Sequence, residues 1–382
     1  MSANHEKKVV VFGAGGRVGL QLTATLLSHQ YSVVAVDVIE HNDLQARINR
    51  VSIDAKLTGS AAIGSCRIVA GFNVLDQHAI EQLLRAEQPD LVVNYAIPFT
   101  WDATKSLPNY SAISAAGLGA FAPIQALAPF NISQAMAATQ SSATLVVGNL
   151  PDVTIPILYG LSNHFDMVLP VAGAGNVGLI ESGVRHTILS ESDYDEQHLQ
   201  ISLVCHHVHW VAPREPGYPN DAPYYLQVMY QGRDITHEFG DTRQLINRAI
   251  SSCYEPGAGF SSTTGILAAR LVMALLDSSG REQRMHVPAP NGMNGGYPVK
   301  VANGEIQLAI PEEWDIDELN HAMQKTHQGD GITSISEDGV ITFAEATIRI
   351  LKQELGIELP ERLTPENFAS FALKQIEIAQ SR

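Results

Sequence analysis

The chain has 382 residues, 45% of them hydrophobic, with 24 Lys and Arg against 40 Asp and Glu. That length accommodates two domains with cores of their own, and a net charge of −16 leaves no electrostatic footprint for a nucleic-acid backbone. The same length excludes a small disulfide-stapled scaffold, and Cys66, Cys205 and Cys253, an odd number with no CxxC pair, suit a reducing compartment better than a secreted one. With a polar, charged start and no apolar signal region, a cytoplasmic protein is expected.

Val9-Val10-Val11-Phe12 is a short apolar run that ends in glycines, the pattern of a central parallel strand buried on both faces. Leu20–Leu27 follows with helical apolar spacing, and Ser32–Asp37 reads as a second strand, so the first 37 residues predict a βαβ unit. A helix over Ala79–Arg85, strands at Leu91–Asn94 and Thr144–Val147, and a helix over Pro123–Thr139 extend this to a doubly wound parallel sheet. After about residue 155 the pattern becomes α+β. Strands are predicted at Leu199–Val211 and Tyr224–Tyr230, helices at Thr242–Ser252 and Thr263–Leu276, and paired strands at Tyr297–Val301 and Gly304–Ala309. Helices at Phe343–Leu355 and Pro365–Ala379 close the chain. The expected division is a nucleotide-binding domain over 1–155 and a substrate domain over 156–382.

Between Ser106 and Ile180 the only charged side chains are Asp152 and Asp166. A membrane span needs about 20 uninterrupted apolar residues, and Pro108, Pro123, Gln125, Pro129, Asn131 and Gln134 interrupt these. The stretch is therefore expected to form core and subunit interface, in a homodimer or larger homo-oligomer.

Gly13-Ala14-Gly15-Gly16-Arg17-Val18-Gly19 lies between the first strand and its helix. Glycines there let the backbone approach a pyrophosphate, and the helix N-terminus adds N–H groups and partial positive charge. Asp37 ends the second strand 18 residues after Gly19, where a carboxylate accepts hydrogen bonds from ribose hydroxyls and repels a 2′-phosphate. The expected cofactor is NAD. Arg17 is the one residue of the loop that would favour the extra phosphate, and Asn94 and Ala96, where the strand Leu91–Asn94 ends, join Gly13, Gly15, Gly16, Arg17, Val18, Gly19 and Asp37 as cofactor candidates.

At these residues the chain resembles the lactate/malate dehydrogenase superfamily. The glycine loop is similar to the malate-dehydrogenase version, and Leu145–Thr154 resembles the strand ending in an Asn-Pro pair. That resemblance places Asn149 between nicotinamide and substrate. His206-His207-Val208-His209-Trp210 stands where the family carries its catalytic histidine, Phe260–Gly265 resembles its substrate-side Ser/Thr loop, and the segment from Tyr297 onwards its closing strands. The resemblance implies a Rossmann domain followed by an α+β substrate domain. The same segments are similar to the NAD-dependent family 4 glycosidases, with His207 followed by Trp210. Their metal motif falls on Gly175-Asn176, without its thiolate, so no metal is assigned. The family's histidine-orienting Asp falls nearest Gly178, and the loop Tyr95–Asp102 lacks its arginine, which points away from lactate or malate as substrate.

Taking a hydride from a hydroxyl carbon requires a base for the O–H proton, a task that suits histidine near neutral pH. His207 is the expected catalytic residue. On a strand, Cys205, His207 and His209 would share one face, which leaves a metal cluster or simple packing as alternatives and His206 and His209 as substitutes. Arg185 and Arg214 are candidates for a substrate anion and Trp101 for a lid. The expected function is NAD-dependent hydride transfer on a small hydroxy or keto substrate. The alternatives are a redox-neutral lyase, epimerase or glycosidase-like enzyme, and a non-catalytic dinucleotide-binding protein.

Overall fold

The computed structural model describes residues 7–57, 62–107, 109–211, 221–255 and 259–381. Its first half runs β1 (Lys8–Phe12), α1 (Arg17–Ser28), β2 (Ser32–Val36), α2 (His41–Leu57), β3 (Cys66–Val69), α3 (Gln77–Glu87), β4 (Leu91–Asn94), α4 (Trp101–Lys105), α5 (Tyr110–Ser114), α6 (Ala122–Ala138), β5 (Thr144–Val147), α7 (Pro151–Leu161), β6 (Ala172–Gly173) and α8 (Val177–Glu191). The six strands pair in parallel in the order β3-β2-β1-β4-β5-β6. Sequence expectation and structure agree on this doubly wound sheet, which gains β3 and the two-residue β6.

Alternation along the strands builds the layers. Val9 and Val11 on β1, Val33 and Ala35 on β2, and Leu91 and Val93 on β4 share one core with Leu22 and Leu26 of α1. Val10, Phe12, Val34, Val36 and Val92 face the other side, toward Ile80 of α3 and Ile124 of α6. A sheet buried on both faces needs such runs of Val, Ile and Leu, because neither side meets water.

The second half runs β7 (Leu199–Val204), α9 (Val208–Val211), β8 (Tyr225–Tyr230), β9 (Arg233–Asp234), α10 (Thr242–Ser252), α11 (Ser261–Leu276), β10 (Gln283–Pro288), β11 (Gly296–Ala302), β12 (Glu305–Leu308), α12 (Ile316–Gly329), β13 (Ile332–Ile335), β14 (Ile341–Phe343), α13 (Glu345–Leu355), β15 (Arg362–Leu363) and α14 (Pro365–Gln380). Its strands make three antiparallel three-stranded sheets, β7-β8-β9, β10-β11-β12 and β13-β14-β15. The helix expected from Phe343 begins at Glu345, because Phe343 is the last residue of β14 and pairs with Ile332.

The uncharged stretch is covered by the chain itself. α6 is buried on nearly every face, Phe130 packs edge-on against Phe368 of α14, and Gln375 of α14 donates to the Ala120 carbonyl at 2.9 Å. Thr347 of α13 donates to the Ala116 carbonyl at 2.8 Å. The expectation of a hidden surface thus has an intrachain explanation. No helix among the described residues is long and apolar enough to cross a membrane.

The strand expected over Leu199–Val211 stops at Val204. Cys205 makes a single bridge to Gly296, the His207 N–H is taken by the Asp152 carboxylate at 2.7 Å, and the chain turns into the short helix α9. Cys205, His207 and His209 therefore do not share a strand face, and the metal cluster considered for those three does not form.

Candidate functional site

The phosphate loop is shaped by backbone contacts. Gly13 has φ +81°, and a Cβ there would lie 2.6 Å from the Ala96 nitrogen, while one on Gly19 would lie 2.1 Å from the Gly13 carbonyl oxygen. Only glycine permits both approaches, which seat the start of α1 on the loop and the loop on the end of β4. The Gly13 and Ala14 N–H groups donate to the Val36 carbonyl at 2.9 and 3.1 Å. α1 has Gly16 as its N-cap, no capping side chain and no acidic residue in its first turn, so the N–H groups around Arg17 and Val18 stand at an end suited to an anion.

Asp37 follows β2 and turns back to this loop. Its Oδ2 accepts from the Gly15 N–H at 2.7 Å and its Oδ1 from the Ile39 N–H at 3.3 Å. Arg47 of α2 donates to the Gly15 carbonyl at 2.6 Å, which brings a guanidinium to the Asp37 end of the loop. Arg17 is ion-paired with Asp102 of α4. The glycine cradle, the uncapped helix start and the carboxylate after β2 fit the diphosphate and adenosine ribose of a nicotinamide dinucleotide.

At the far end of the loop, Asn94 donates to the Asn149 side-chain oxygen at 3.0 Å, and both asparagines donate to the Ala96 carbonyl, at 3.2 and 3.1 Å. The two amides tie the ends of β4 and β5 together beside Gly13. The structure thus brings Gly13, Asn94, Ala96 and Asn149 to one place.

Asp152, three residues after Asn149 in the first turn of α7, anchors a second centre. It is 1% exposed and His207 is fully buried. His207 meets it through two donors, the backbone N–H at 2.7 Å and Nδ1 at 3.0 Å, both to Oδ2. Asn176 donates to Oδ1 at 2.9 Å. On the other side of the ring, His207 Nε2 lies 3.2 Å from Oδ2 of Asp330, between α12 and β13. The Asp330 carboxylate is held by the Leu118 N–H at 2.9 Å, and the His206 ring lies between those of His207, tilted at 4.3 Å, and His327, edge-on at 4.8 Å. His327 Nε2 contacts the Asp152 carbonyl at 3.1 Å.

The electrostatics follow from this enclosure. Burial by itself disfavours a His207 imidazolium, but Asp152 and Asp330 on either side outweigh it and raise its pKa to about 10. Burial opposes ionisation of Asp152 as well, and His207 and His206 with their hydrogen bonds overcome it, holding the carboxyl well below its usual range. His206, His327 and His209 lack that balance, and burial pushes each down toward the neutral form.

Arg185 is not part of this centre. It is paired with Glu181 through Nε at 2.9 Å and Nη2 at 2.7 Å, and donates to the Leu199 carbonyl at 3.1 Å. It lines a cavity of about 420 Å³ with Arg270, Arg284 and His286, and neither His207 nor Asn149 reaches that wall. Arg214 and the Trp101 side chain lie outside the described residues. The Ser/Thr loop leads into α11, where a Cβ on Gly265 would meet the Val18 carbonyl oxygen at 2.8 Å, so this segment abuts the start of α1.

Sequence reasoning passed over Asp152, Asp330, His327 and Arg47. Asp152 had a signal, as one of two charges in 75 residues of otherwise uncharged chain from Ser106 to Ile180. Arg47 had only its helical spacing after Asp37. For His327 and Asp330, more than a hundred residues after His207, the sequence holds no local sign.

Comparison with known proteins agrees with this architecture. The profile of the NAD dependent epimerase/dehydratase family matches residues 9–156. Lactate dehydrogenase from Eimeria maxima with NADH and oxamate superposes with a TM-score of 0.52 at 14% identity, covering 85% of this chain and 92% of that one. Malate dehydrogenase from Aeropyrum pernix gives 0.51 at 12% identity, covering 84% and 96%. No curated protein matches the sequence. The chain has a Rossmann domain and the lactate/malate dehydrogenase fold, a parallel sheet of order 321456 followed by an antiparallel α+β region.

Proposed function

We propose that the protein is an NAD-dependent oxidoreductase that transfers a hydride between nicotinamide and a small hydroxy or keto compound, in a substrate pocket altered from that of lactate and malate dehydrogenases. The observation that carries this reading is the Asp152–His207 pair, formed between the two halves of the chain at 3.0 Å and three residues beyond Asn149. Bound at the loop, the cofactor supplies the hydride acceptor or donor. Gly13–Gly19 and the start of α1 would hold its diphosphate, Asp37 would accept from the ribose hydroxyls, and Asn94 and Asn149 would hold the ends of β4 and β5 in place beside it. His207 is the group assigned to offset charge developing on the substrate oxygen, with Asp152 positioning it through Nδ1 and substrate taking the place of Asp330 at Nε2. Arg185, committed to Glu181 in a separate cavity, has no part in this assignment.

The match to the epimerase/dehydratase profile favours a second reading, in which the substrate is oxidised transiently and the cofactor returns to its starting state. Screening hydroxy and keto compounds while following absorbance of the reduced cofactor separates the two. A stoichiometric change with turnover supports the oxidoreductase. Product formed with the bulk cofactor unchanged supports the redox-neutral enzyme, and tight NAD binding with no product from any class points to a binding protein.

A further inference from the structure

The cavity that Arg185 lines is bounded by two strands that each have a free edge. β7 pairs only with β8 and β10 only with β11, and residues of both strands line it together with α8 and α11. At about 420 Å³ it has the size of a pocket for a small organic molecule. Its polar lining is rich in donors that lack acceptors. His286 Nε2 accepts from the Leu203 N–H at 3.1 Å, so this ring, which burial keeps neutral near neutral pH, carries its proton on Nδ1, and Nδ1 meets no acceptor among the described residues. Residues of an antiparallel strand turn their N–H and C=O groups to alternate edges. The Leu203 N–H and the Leu199 carbonyl, which takes Arg185, both lie on the edge of β7 away from β8. Ile201 between them therefore turns its N–H to the same edge, where no described residue accepts it. Backbone N–H groups left unpaired away from water are costly. Arg270 makes no hydrogen bond or ion pair among the described residues, and Arg284 meets only Glu282, at 3.6 Å, a carboxylate that Lys300 also holds at 3.2 Å. Of the two carboxylates in the lining, Glu181 is taken by Arg185 and Glu196 is exposed to solvent. Leu267, Leu271, Met285, Val287 and Val299 make the remaining lining apolar.

We infer that this cavity is a second ligand site, separate from the glycine loop and from the His207 centre, and that it takes a small carboxylate with a hydrocarbon body. Arg270 and Arg284 hold the carboxylate, since a guanidinium presents a fork of donors that matches two carboxylate oxygens. The His286 Nδ1–H and the Ile201 N–H add neutral donors from the two strand edges. The hydrocarbon part lies against Leu267, Leu271 and Met285 and leaves the water that these side chains otherwise meet. Both halves of the ligand are needed: donors without acceptors call for an anion, and an apolar wall in the same cavity gives a bare inorganic ion nothing to bury. The assignment uses none of the residues given a part in hydride transfer and is independent of that reading.

The test is calorimetric titration of octanoate into the full-length protein, with and without saturating NADH, so that the glycine loop is offered its ligand in one series and left open in the other. One octanoate per chain is expected to bind in both, with a Kd below about 1 mM. It should bind at least about tenfold more tightly than acetate or inorganic phosphate, which lack the hydrocarbon, and than octanamide, which lacks the charge. Arg270→Gln and Arg284→Gln should each weaken octanoate binding about tenfold or more, the worth of hydrogen bonds to a charged group. Both arginines are exposed, so neither exchange disturbs the core, and a melting curve checks this. Wild type that binds no octanoate up to about 10 mM overturns the inference, as does an unchanged Kd in the folded Arg270→Gln/Arg284→Gln double variant. Phosphate bound as tightly as octanoate also overturns it, by making the cavity a site for bare oxyanions. None of these measurements depends on turnover, so a failure here leaves the cofactor assay untouched, and the reverse.

Discussion

The glycine loop and the histidine centre are both built at the C-terminal edge of the parallel sheet, yet they are made differently. The loop, from Gly13 to Asp37, is a run of 25 consecutive residues that makes many of its contacts within itself, Gly19 on Gly13, Gly13 on Val36 and Asp37 on Gly15, with Gly13 also seated on Ala96 after β4. The centre joins Asp152, Asn176, His206, His207, His327 and Asp330 from four separated stretches of chain. Local chemistry shapes the first, whereas the second exists only when α7, the turn after β7 and the end of α12 have docked. Backbone groups do the work in the loop, and side chains do it in the centre, so substitutions in the two regions should fail in different ways.

The largest effect expected is at the centre. His207→Asn should leave NAD(H) binding intact and reduce turnover by about 10²–10⁴-fold, the range for a positioned proton-transfer or charge-bearing group. Rates measured on the folded fraction, with its share taken from a melting curve, check this. Normal turnover in a stable variant would remove His207 from the chemistry and erase the functional half of the contrast.

In the loop, Gly13→Ala adds a methyl 2.6 Å from the Ala96 nitrogen at φ +81°. Strain of order 1–3 kcal/mol is expected, read as weaker dinucleotide binding by calorimetry. An unchanged Kd would show that the loop is not the cradle described.

Asp37→Ala should reduce NAD(H) affinity about tenfold or more, the worth of hydrogen bonds to a charged group, and relax discrimination against NADP(H). Arg47 sharpens this prediction, because its guanidinium already stands at the Gly15 carbonyl. Any gain in NADP(H) affinity should disappear in the Asp37→Ala/Arg47→Ala double variant. NADP(H) preferred by the wild type would overturn the ribose role of Asp37.

The smallest effect concerns pH. His286 lines the cavity near Glu181 and Arg185, its Nε2 accepts from the Leu203 N–H at 3.1 Å, and burial lowers its pKa from 6.5 to about 4. The unfolded chain therefore takes up this proton first, so the contribution is full above about pH 6.5 and is lost as pH falls toward 4, by at most about 1.4 kcal/mol per pH unit. Urea titrations across that window should show a shallower slope for His286→Gln. An identical slope would mean that the proton finds another acceptor.

Much of the fold was legible because its causes are local. Runs such as Val9–Phe12 and Leu91–Asn94 carry their burial in their composition, and the helix Thr242–Ser252 is bounded by the Asp241 cap, which accepts from the Arg243 and Gln244 N–H groups. The histidine segment was misread as strand for a tertiary reason: Leu199–Val204 alternates as a strand should, and what ends it is the capture of the His207 N–H by a carboxylate 55 residues earlier. The uncharged stretch was correctly read as hidden from water, but what covers it, α13 and α14, is set by chain-end packing that composition does not encode.

By itself the sequence determined the parallel sheet, the loop at its centre and the carboxylate after β2, since strand periodicity, glycine stereochemistry and the spacing of a βαβ unit all act within a few tens of residues. The tertiary structure decided which charges meet. It set Asp152 and Asp330 on either side of His207, carried Arg47 to the loop, and set Arg185 apart in another cavity. A buried charge is tolerated only where distant partners balance it, and which partners arrive depends on how the helices dock.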